Sequence, residues 1–253
     1  MGIGDDIIAT SLAKGARDRG ELIAFGDGKT IFWGLHSRMI FKNNPNVALP
    51  GEERTKRVRW VQYYKGHRIY NSSSRDRWIW NYGFRVKPGE VFLDESETYE
   101  KDDRLILIEP NVPINKKCAP NKQWPLDRWQ MVVGELTRRG WNVRQFEYGA
   151  PNRVCSSIHT NDFRHAIGRL GSARLAILHE GGLHHAAAAV GIPAVVLFGG
   201  FVPPQVLGYD GHVNLTGGAE ACGSYGKCDH CLKAMRNISA EQVIEVAGRL
   251  LGG

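Results

Sequence analysis

The stretch from residue 174 to 200, RLAILHEGGLHHAAAAVGIPAVVLFGG, restricts the fold more than any other part of the sequence. Its pattern predicts an apolar strand at 174–179, a glycine turn, a short helix at about 183–190 and a second apolar strand at 194–199. A strand, a helix and a strand in this order form a βαβ unit. The two strands are therefore expected to lie parallel in one sheet.

The rest of the C-terminal half repeats this alternation. Strands are predicted at 104–109, 142–147 and 212–216, and helices at 125–139, 160–170 and 240–251. Thr160 is the expected cap of the second helix, and Ser239 with Gln242 forms a capping box at the third. Such an order indicates a parallel sheet covered by helices on both faces, with ligands bound at the carboxyl edge of the strands.

The first hundred residues are less regular. Gly2 and Gly4 predict a turn, and Asp5 and Asp6 then favour the start of a helix. A strand is expected before such a turn. Either the first strand is missing from this sequence, or the native chain starts earlier and includes it. Short strands are predicted at 21–26, 30–34 and 58–64. The acidic stretch 88–103 is the expected linker between an N-terminal domain over 1–100 and a C-terminal domain over 101–253.

Length and composition indicate a globular protein with room for two domains. The 253 residues carry a formal net charge of +7, which favours an anionic partner such as a phosphorylated small molecule, nucleic acid or a membrane surface. The longest apolar run, near 186–202, is interrupted by Gly191 and Pro193 and is too short to span a bilayer. No signal segment opens the chain. The five cysteines, an odd number, suit a reducing cytoplasm better than a disulfide framework.

Residues 54–87 differ in character from the rest of the chain. They hold ten Lys or Arg, eight aromatic residues and one acid. Aromatic faces mixed with guanidinium groups suit stacking on bases or sugars beside phosphates. The alternative is a β-rich segment whose aromatic residues are core and whose cations are solvated. The acceptor-binding candidates in and beside this basic-aromatic segment are Arg59, Tyr63, Lys65, Arg77 and Trp78.

A ligand site is predicted where the strand at 174–179 meets the glycine turn. Gly181 and Gly182 lack a Cβ, so a ligand can approach the backbone closely. The following helix directs unpaired N–H groups and its positive dipole end toward the turn, which favours an anion. Glu180 is placed to accept hydrogen bonds from sugar or ribose hydroxyls. Lys122 is placed to bind the same anion as the glycine turn, which would be a diphosphate. This combination indicates a nucleotide sugar; the alternative is that the glycines only make the turn.

Three motifs in order resemble a known family. They are GDDIIATSLAK (4–14), NKQWPLDRW (121–129) and EGGLHHAAAAVGIPAVVLFGG (180–200), followed by a cysteine-bearing segment ahead of the closing helix. Together they resemble glycosyltransferase family nine, the heptosyltransferases of lipopolysaccharide core synthesis. The resemblance spans most of 102–251 and the first 15 residues, whereas 20–100 matches poorly.

The resemblance implies an α/β fold of the GT-B type, with two Rossmann-like domains facing a cleft and an N-terminal one that is small and irregular here. It implies sugar transfer with inversion and without a metal ion or other required cofactor, from a nucleotide-diphosphate sugar. Asp5 resembles the catalytic base, Lys122 the diphosphate-binding lysine and His185 the histidine of the helix. Glu180 stands where the family has an aspartate, and Gly181 replaces a threonine. Asn111, in the loop after 104–109, joins the donor-binding candidates with Gly182.

The acceptor implied by the family is a lipopolysaccharide or surface glycan, and the basic-aromatic segment adds a modified base in nucleic acid as an alternative. A second reading of the whole chain is a non-catalytic module that binds a nucleotide or nucleic acid on the same scaffold.

Cys222, Cys228 and Cys231 crowd into ten residues and supply ligand types for zinc or an iron–sulfur cluster in a structural role. A fourth ligand would come from His212, His230, Cys118 or Cys155. The alternative is a loop with reduced thiols.

Overall fold

The computed structural model describes residues 2–61, 70–73, 76–112, 117–147 and 151–252. Helices and strands alternate through the C-terminal part and are sparser before residue 100. The helices are α1 (Ile3–Thr10), α2 (Leu35–Ile40), α3 (Leu126–Arg138), α4 (Phe163–Ser172), α5 (Gly182–Ala189), α6 (Pro204–Leu207), α7 (Asp229–Asn237) and α8 (Ala240–Leu251). The strands are β1 (Leu22–Phe25), β2 (Val58–Val61), β3 (Tyr70–Ser73), β4 (Trp78–Trp80), β5 (Asp102–Glu109), β6 (Asn142–Phe146), β7 (Ser157–Ile158), β8 (Ala173–His179), β9 (Ala194–Leu197) and β10 (His212–Leu215).

Six parallel strands form the central sheet, in the order β10-β9-β8-β5-β6-β7. The carboxyl ends of β5 and β8 lie side by side, because Glu109 pairs with Leu178. The α/β class with a parallel sheet is therefore confirmed. Its two central strands end at Glu109 and His179, which places the loops that follow them at one edge.

Both faces of the sheet are buried along β5, β8 and β9, which explains why these strands contain apolar runs without alternation. Along β5, Ile106 and Ile108 face the cluster formed with α3 and α8, whereas Leu105 and Leu107 face the opposite cluster. Successive side chains of a strand point to opposite faces, so one continuous apolar run supplies both cores.

The N-terminal residues pack on the second of these faces. Ile7 of α1, Ile23 of β1 and Ile40 of α2 belong to the same buried cluster as Leu107 and the helices α4 and α5. Before residue 100, the described residues add a parallel pair, β1 with β2, and an antiparallel pair, β3 with β4. This part is small and irregular, as predicted. The domain boundary at 100 and 101 stays a prediction.

Helices α1 and α5 cross at two glycines. A Cβ on Gly4 would stand 2.8 Å from His185 Cδ2, and one on Gly182 would stand 2.8 Å from Ile3 Cγ2. Real Cβ atoms do not come this close to other heavy atoms, so only glycine at these positions permits the observed approach.

Several local expectations were wrong. Asp162, not Thr160, caps α4 by accepting the His165 N–H at 3.0 Å. The strand expected at 30–34 is a single bridge from Ile31 to Gly26. The strand expected at 58–64 is confirmed over Val58–Val61, and residues 62–64 lie outside the described part of the chain. Helices α2 and α7 were not anticipated. Across the described ranges, no helix combines the length and apolar character needed to cross a bilayer.

Candidate functional site

The structure joins Lys122 and Glu180, which lie 58 residues apart in the sequence. Lys122 ends a short 3₁₀ turn (Ala119–Lys122), and Glu180 directly follows β8. The lysine ammonium forms an ion pair with the Glu180 carboxylate and lies 3.3 Å from its backbone carbonyl oxygen. Its charge also stands 5.2 Å from the centre of the Phe201 ring. One fifth of the Lys122 side chain remains exposed, so the ammonium can still reach a ligand.

A buried chain of polar groups continues from Glu180 into α5. His185 Nε2 lies 3.7 Å from Glu180 Oε1, and His185 Nδ1 lies 2.8 Å from the Tyr209 hydroxyl. Burial raises the pKa of Tyr209, so its hydroxyl stays protonated, and the tautomer of His185 sets which of the two groups donates. The ionised Glu180 carboxylate can only accept, so it favours the tautomer with the proton on Nε2, in which Nδ1 accepts from the Tyr209 hydroxyl.

Glu180 is ionised despite its burial. Burial raises the pKa of this carboxyl, but the Lys122 charge and the contact with His185 outweigh it and hold the pKa below its ordinary value. Glu180, His184 and His185 also hold ligand atoms within 4.8 Å of one another. A metal cation there would meet the ammonium of Lys122, so we assign the carboxylate to the lysine.

Trp124 anchors the Lys122 turn to the sheet. Its backbone N–H donates to His179 Nε2 at 3.2 Å, and its indole N–H donates to the Ile238 carbonyl at 2.9 Å. Burial and the nearby Lys122 charge lower the pKa of His179 to about 3, so this imidazole is a neutral acceptor. The aromatic residue of the NKQWP motif therefore fixes where the lysine emerges.

The glycine turn before α5 lies beside this ion pair and is open at Gly181, whereas Gly182 packs against Ile3. A Cβ on Gly181 would have no heavy atom within 4 Å, so space for a ligand exists at the glycine turn. Asp5 lies in the first turn of α1, next to Gly4, which contacts His185. Asp5 Oδ2 accepts the Gly2 N–H at 2.7 Å, a capping interaction that leaves its other carboxylate oxygen for a further partner. The neighbouring Asp6 is 1% exposed and bonded to Ser37, so a substrate cannot reach it.

Asn111 shapes the adjacent edge of the site. Its amide donates to Glu109 Oε1 at 3.0 Å and to the Asn152 carbonyl at 3.1 Å, and it accepts the Asn152 N–H at 3.1 Å. Burial raises the pKa of Glu109 to about 7, although the two hydrogen bonds from Asn111 act in the opposite direction and lower it. The side chain of Asn111 thus ties the end of β5 to the loop that precedes β7.

No family model and no curated protein matches the sequence, but solved structures match the fold. A family nine glycosyltransferase from Veillonella parvula superposes with a TM-score of 0.63 at 16% identity, over 99% of this chain and 95% of that one. The chain has the family nine glycosyltransferase fold. The iron-containing dodecameric glycosyltransferase TibC of enterotoxigenic E. coli gives a TM-score of 0.66 at 15% identity, over 99% of this chain and 73% of that one. The structure of TibC in complex with ADP-D-β-D-heptose gives a TM-score of 0.61 at 18% identity, over 92% of this chain and 76% of that one.

Within this glycosyltransferase fold, the acceptor-binding candidates lie on two separate sheets. Arg59 is on β2, pairs with Glu21 at 3.1 Å and is half exposed. Arg77 and Trp78 lie at the start of β4, where Trp78 packs edge-on against Tyr225 at 4.8 Å. Tyr63 and Lys65 lie outside the described residues.

Cys222, Cys228 and Cys231 come together as the spacing predicted. The Cys222 sulfur lies 3.2 Å from that of Cys231 and 3.9 Å from that of Cys228. Burial opposes ionisation of Cys228, but the Cys231 N–H and the Cys222 thiol lower its pKa below the ordinary value. Within the described residues, none of the four predicted fourth ligands joins this cluster.

The four candidate fourth ligands have other surroundings. His230 bonds the Glu220 carbonyl at 2.8 Å, and His212 bonds that of Ile192 at 3.2 Å. Cys118 begins the Lys122 turn, and Cys155 packs in the core against α3 and α8.

Sequence reasoning missed Tyr209, Phe201 and Asn121. Tyr209 and Phe201 carry no readable signal, because each reaches the site through a loop whose path only the fold determines. Asn121 stands inside the NKQWP motif and is fully buried, so its place beside Lys122 was the available signal.

Proposed function

We propose that the chain is an inverting glycosyltransferase that moves a sugar from a nucleotide-diphosphate sugar to an acceptor hydroxyl. The observation that carries this proposal is the partly exposed Lys122 side chain, held by Glu180 beside the open glycine turn that precedes α5. A lysine and a helix N-terminus that converge on one point suit a diphosphate. TibC is described with ADP-D-β-D-heptose, so an ADP-linked sugar is the first donor to test.

Lys122 and α5 would act on the leaving group. As the bond to the sugar breaks, negative charge grows on the β-phosphate, and a fixed ammonium stabilises that charge more in the transition state than before it. The ion pair orients the ammonium, and the chain from Glu180 through His185 to Tyr209 orients the carboxylate. In this assignment Glu180 positions Lys122, and its contact with a sugar hydroxyl stays a prediction. The transfer draws its charge stabilisation from these groups and not from a metal.

Asp5 would take the proton of the acceptor hydroxyl. The first turn of α1 faces the N-terminus of α5 through Gly4, so a base on α1 stands on the acceptor side of the donor site. A well-placed general base contributes about 10²–10⁴-fold to the rate. Attack from the side opposite the leaving diphosphate inverts the anomeric centre. An anionic acceptor, either a surface glycan or a modified base, fits the net charge of +7 and the basic-aromatic segment.

The three clustered thiols would hold a structural metal ion. Their sulfur atoms are already mutually close, and Cys228 is the N-cap of α7, where backbone N–H groups favour a thiolate. A metal there would brace the loop 222–228, and no step of the transfer needs it. The odd number of cysteines favours a reducing, cytoplasmic setting over a disulfide framework.

The test combines binding and turnover. Calorimetric titration with ADP, UDP, GDP and CDP should find one nucleotide that binds, and Lys122→Ala should weaken it about 10–100-fold, the range for a charged hydrogen bond. Asp5→Asn should lower kcat by about 10²–10⁴-fold and leave nucleotide affinity unchanged. The exposed Asp18→Asn is the matched control. Nucleotide binding without turnover in the unmodified protein would favour the non-catalytic module, and no binding by any nucleotide would contradict the proposal.

A further inference from the structure

Asn121 connects the turn that carries Lys122 to the loop that carries Cys222 and Cys228. Its side chain is fully buried, and its amide N–H groups donate to the Ser224 carbonyl at 3.3 Å and the Gly226 carbonyl at 2.7 Å. Its amide oxygen accepts the Cys228 N–H at 2.8 Å. One side chain therefore satisfies three backbone groups of the loop that carries Cys222 and Cys228.

The cysteine loop is also held on its other side. The Trp78 N–H donates to the Gly223 carbonyl at 2.9 Å, and the Tyr225 N–H donates to the Asp76 carbonyl at 2.9 Å. A Cβ on Gly223 would stand 2.3 Å from the Trp78 carbonyl oxygen, so the loop and β4 are in close contact. The loop is thus fixed between the start of β4 and Asn121.

Lys122 lies between two buried anchors. Trp124 fixes one side of the lysine to β8 and Ile238, as described above, and Asn121 fixes the other side to the cysteine loop. The first anchor rests on His179 at the end of β8 and on the Ile238 carbonyl between α7 and α8. The second rests on the cysteine loop, which is itself tied to Gly200: the Cys222 N–H donates to the Gly200 carbonyl, and the Cys231 thiol approaches the same carbonyl at 3.4 Å.

We infer that Asn121 is a positioning residue for the donor site, which couples the conformation of the cysteine loop to the placement of the Lys122 ammonium. A loop held in shape by its thiols, with or without a bound ion, keeps the lysine against Glu180. A loop released by loss of Asn121 leaves Lys122 anchored on one side. Asn121 also limits how readily the loop thiols react, because its three hydrogen bonds hold the backbone that carries Cys222 and Cys228. The inference rests on the proposed function, because it assumes that Lys122 binds the diphosphate.

The experiment uses Asn121→Ala, with Asn121→Ser as a second variant in case the first is unstable. The rate at which the thiols react with Ellman's reagent should rise about tenfold, and ADP affinity should fall about tenfold, within the range typical of coupled sites. In a Lys122→Ala background, Asn121→Ala should cause no further loss of ADP affinity, because its effect passes through the lysine. Asn142→Ala is the matched control: Asn142 is exposed, begins β6 and bonds Asp102 at the opposite edge of the sheet.

The outcomes separate the two proposals. If the unmodified protein binds ADP and Lys122→Ala weakens it, but Asn121→Ala changes neither thiol reactivity nor affinity, the coupling is wrong and the proposed function stands. Equal losses from Asn121→Ala with and without Lys122 would mean a general structural role and would also overturn the inference. If ADP and the other three nucleotides fail to bind the unmodified protein, both proposals fall together.

Discussion

At the scale of single residues, the site consists of charges that are stable only because they lie together. An isolated carboxylate buried like Glu180 would be protonated, and an unpaired ammonium beside Phe201 would lose solvation without compensation. Their ion pair lets both remain charged in a largely buried place. His184 differs, because it is fully buried and neither ring nitrogen has a partner among the described residues. Burial lowers its pKa well below the ordinary value, so it is a neutral core residue.

Asp6 gives a residue-scale prediction about pH. Burial raises its pKa from 3.8 to about 6, and the hydrogen bond from Ser37 only partly offsets this. The folded state therefore favours the protonated carboxyl of Asp6. The contribution of this protonated form to the stability of the fold is lost as the pH rises from about 4 through about 6. Asp6→Asn should thus raise the free energy of unfolding at pH 7.5 by about 1–3 kcal/mol and change it little at pH 4. Urea unfolding at both pH values, with Asp18→Asn as control, measures this, and a gain of equal size at both would contradict it.

At the scale of elements, the contact of α1 with α5 connects the two halves of the site. The helices approach closely because Gly4 and Gly182 lack side chains at their crossing. The same contact places Asp5 near the N-terminus of α5, so the proposed base and the proposed phosphate site depend on one packing interaction. Neither helix could keep this geometry alone, because each has only eight residues.

Two glycine-to-alanine substitutions should distinguish the effect of this helix contact on stability from the effect of helix propensity. Gly4→Ala places a methyl group against the His185 ring and should lower the free energy of unfolding by about 1–3 kcal/mol. Gly134→Ala, inside α3 where a Cβ meets nothing within 4 Å, should raise it by about 0.5–1 kcal/mol. Urea unfolding of both variants tests the pair. Stabilisation by Gly4→Ala would show that the helices do not cross as described.

At the scale of the whole molecule, a buried ion pair fastens the N-terminal residues to the C-terminal sheet. Arg164 of α4 pairs with Glu97 at 2.6 Å and donates to the Met39 and Phe92 carbonyls at 2.9 and 2.6 Å. All three partners come from residues before 100. Together with the shared apolar core, these bonds make the two parts one packed body around the site.

Arg164→Met should therefore be severely destabilising. It leaves the buried Glu97 without its counter-charge and should cost about 3–5 kcal/mol at pH 7, whereas adding Glu97→Gln should recover part of the loss. The hydrogen bonds from Arg164 lower the pKa of Glu97 to about 2 from 4.5, so the pair stabilises the fold above about pH 4.5 and weakens as the pH falls toward 2. Urea unfolding of single and double variants from pH 3 to 7 measures both effects. Additive losses would contradict the pairing.

The regular part of the fold could be predicted because its signals are local. The central strands β5, β8 and β9 contain continuous apolar runs, and β5, β6, β8, β9, β10, α3 and α8 lie within two residues of their predicted bounds. The motif 179–185 likewise determined that a glycine turn and a helix N-terminus follow a strand. The thiol cluster followed from spacing, since Cys228 and Cys231 span about one turn of α7.

The sequence placed Lys122 and the glycine turn at one ligand, but only the tertiary structure decided which side chains pair there. Glu180 was assigned to a sugar hydroxyl from its place in the sequence, yet the fold brings Lys122 to it across 58 positions and brings Tyr209 to His185 across 24. Such contacts depend on sheet order and loop path, which neither periodicity nor spacing encodes. The sequence thus determined the elements and their chemical groups, because these follow from a few neighbouring residues. The structure decided the charge of each group and its partner, because both depend on burial and on distant parts of the chain.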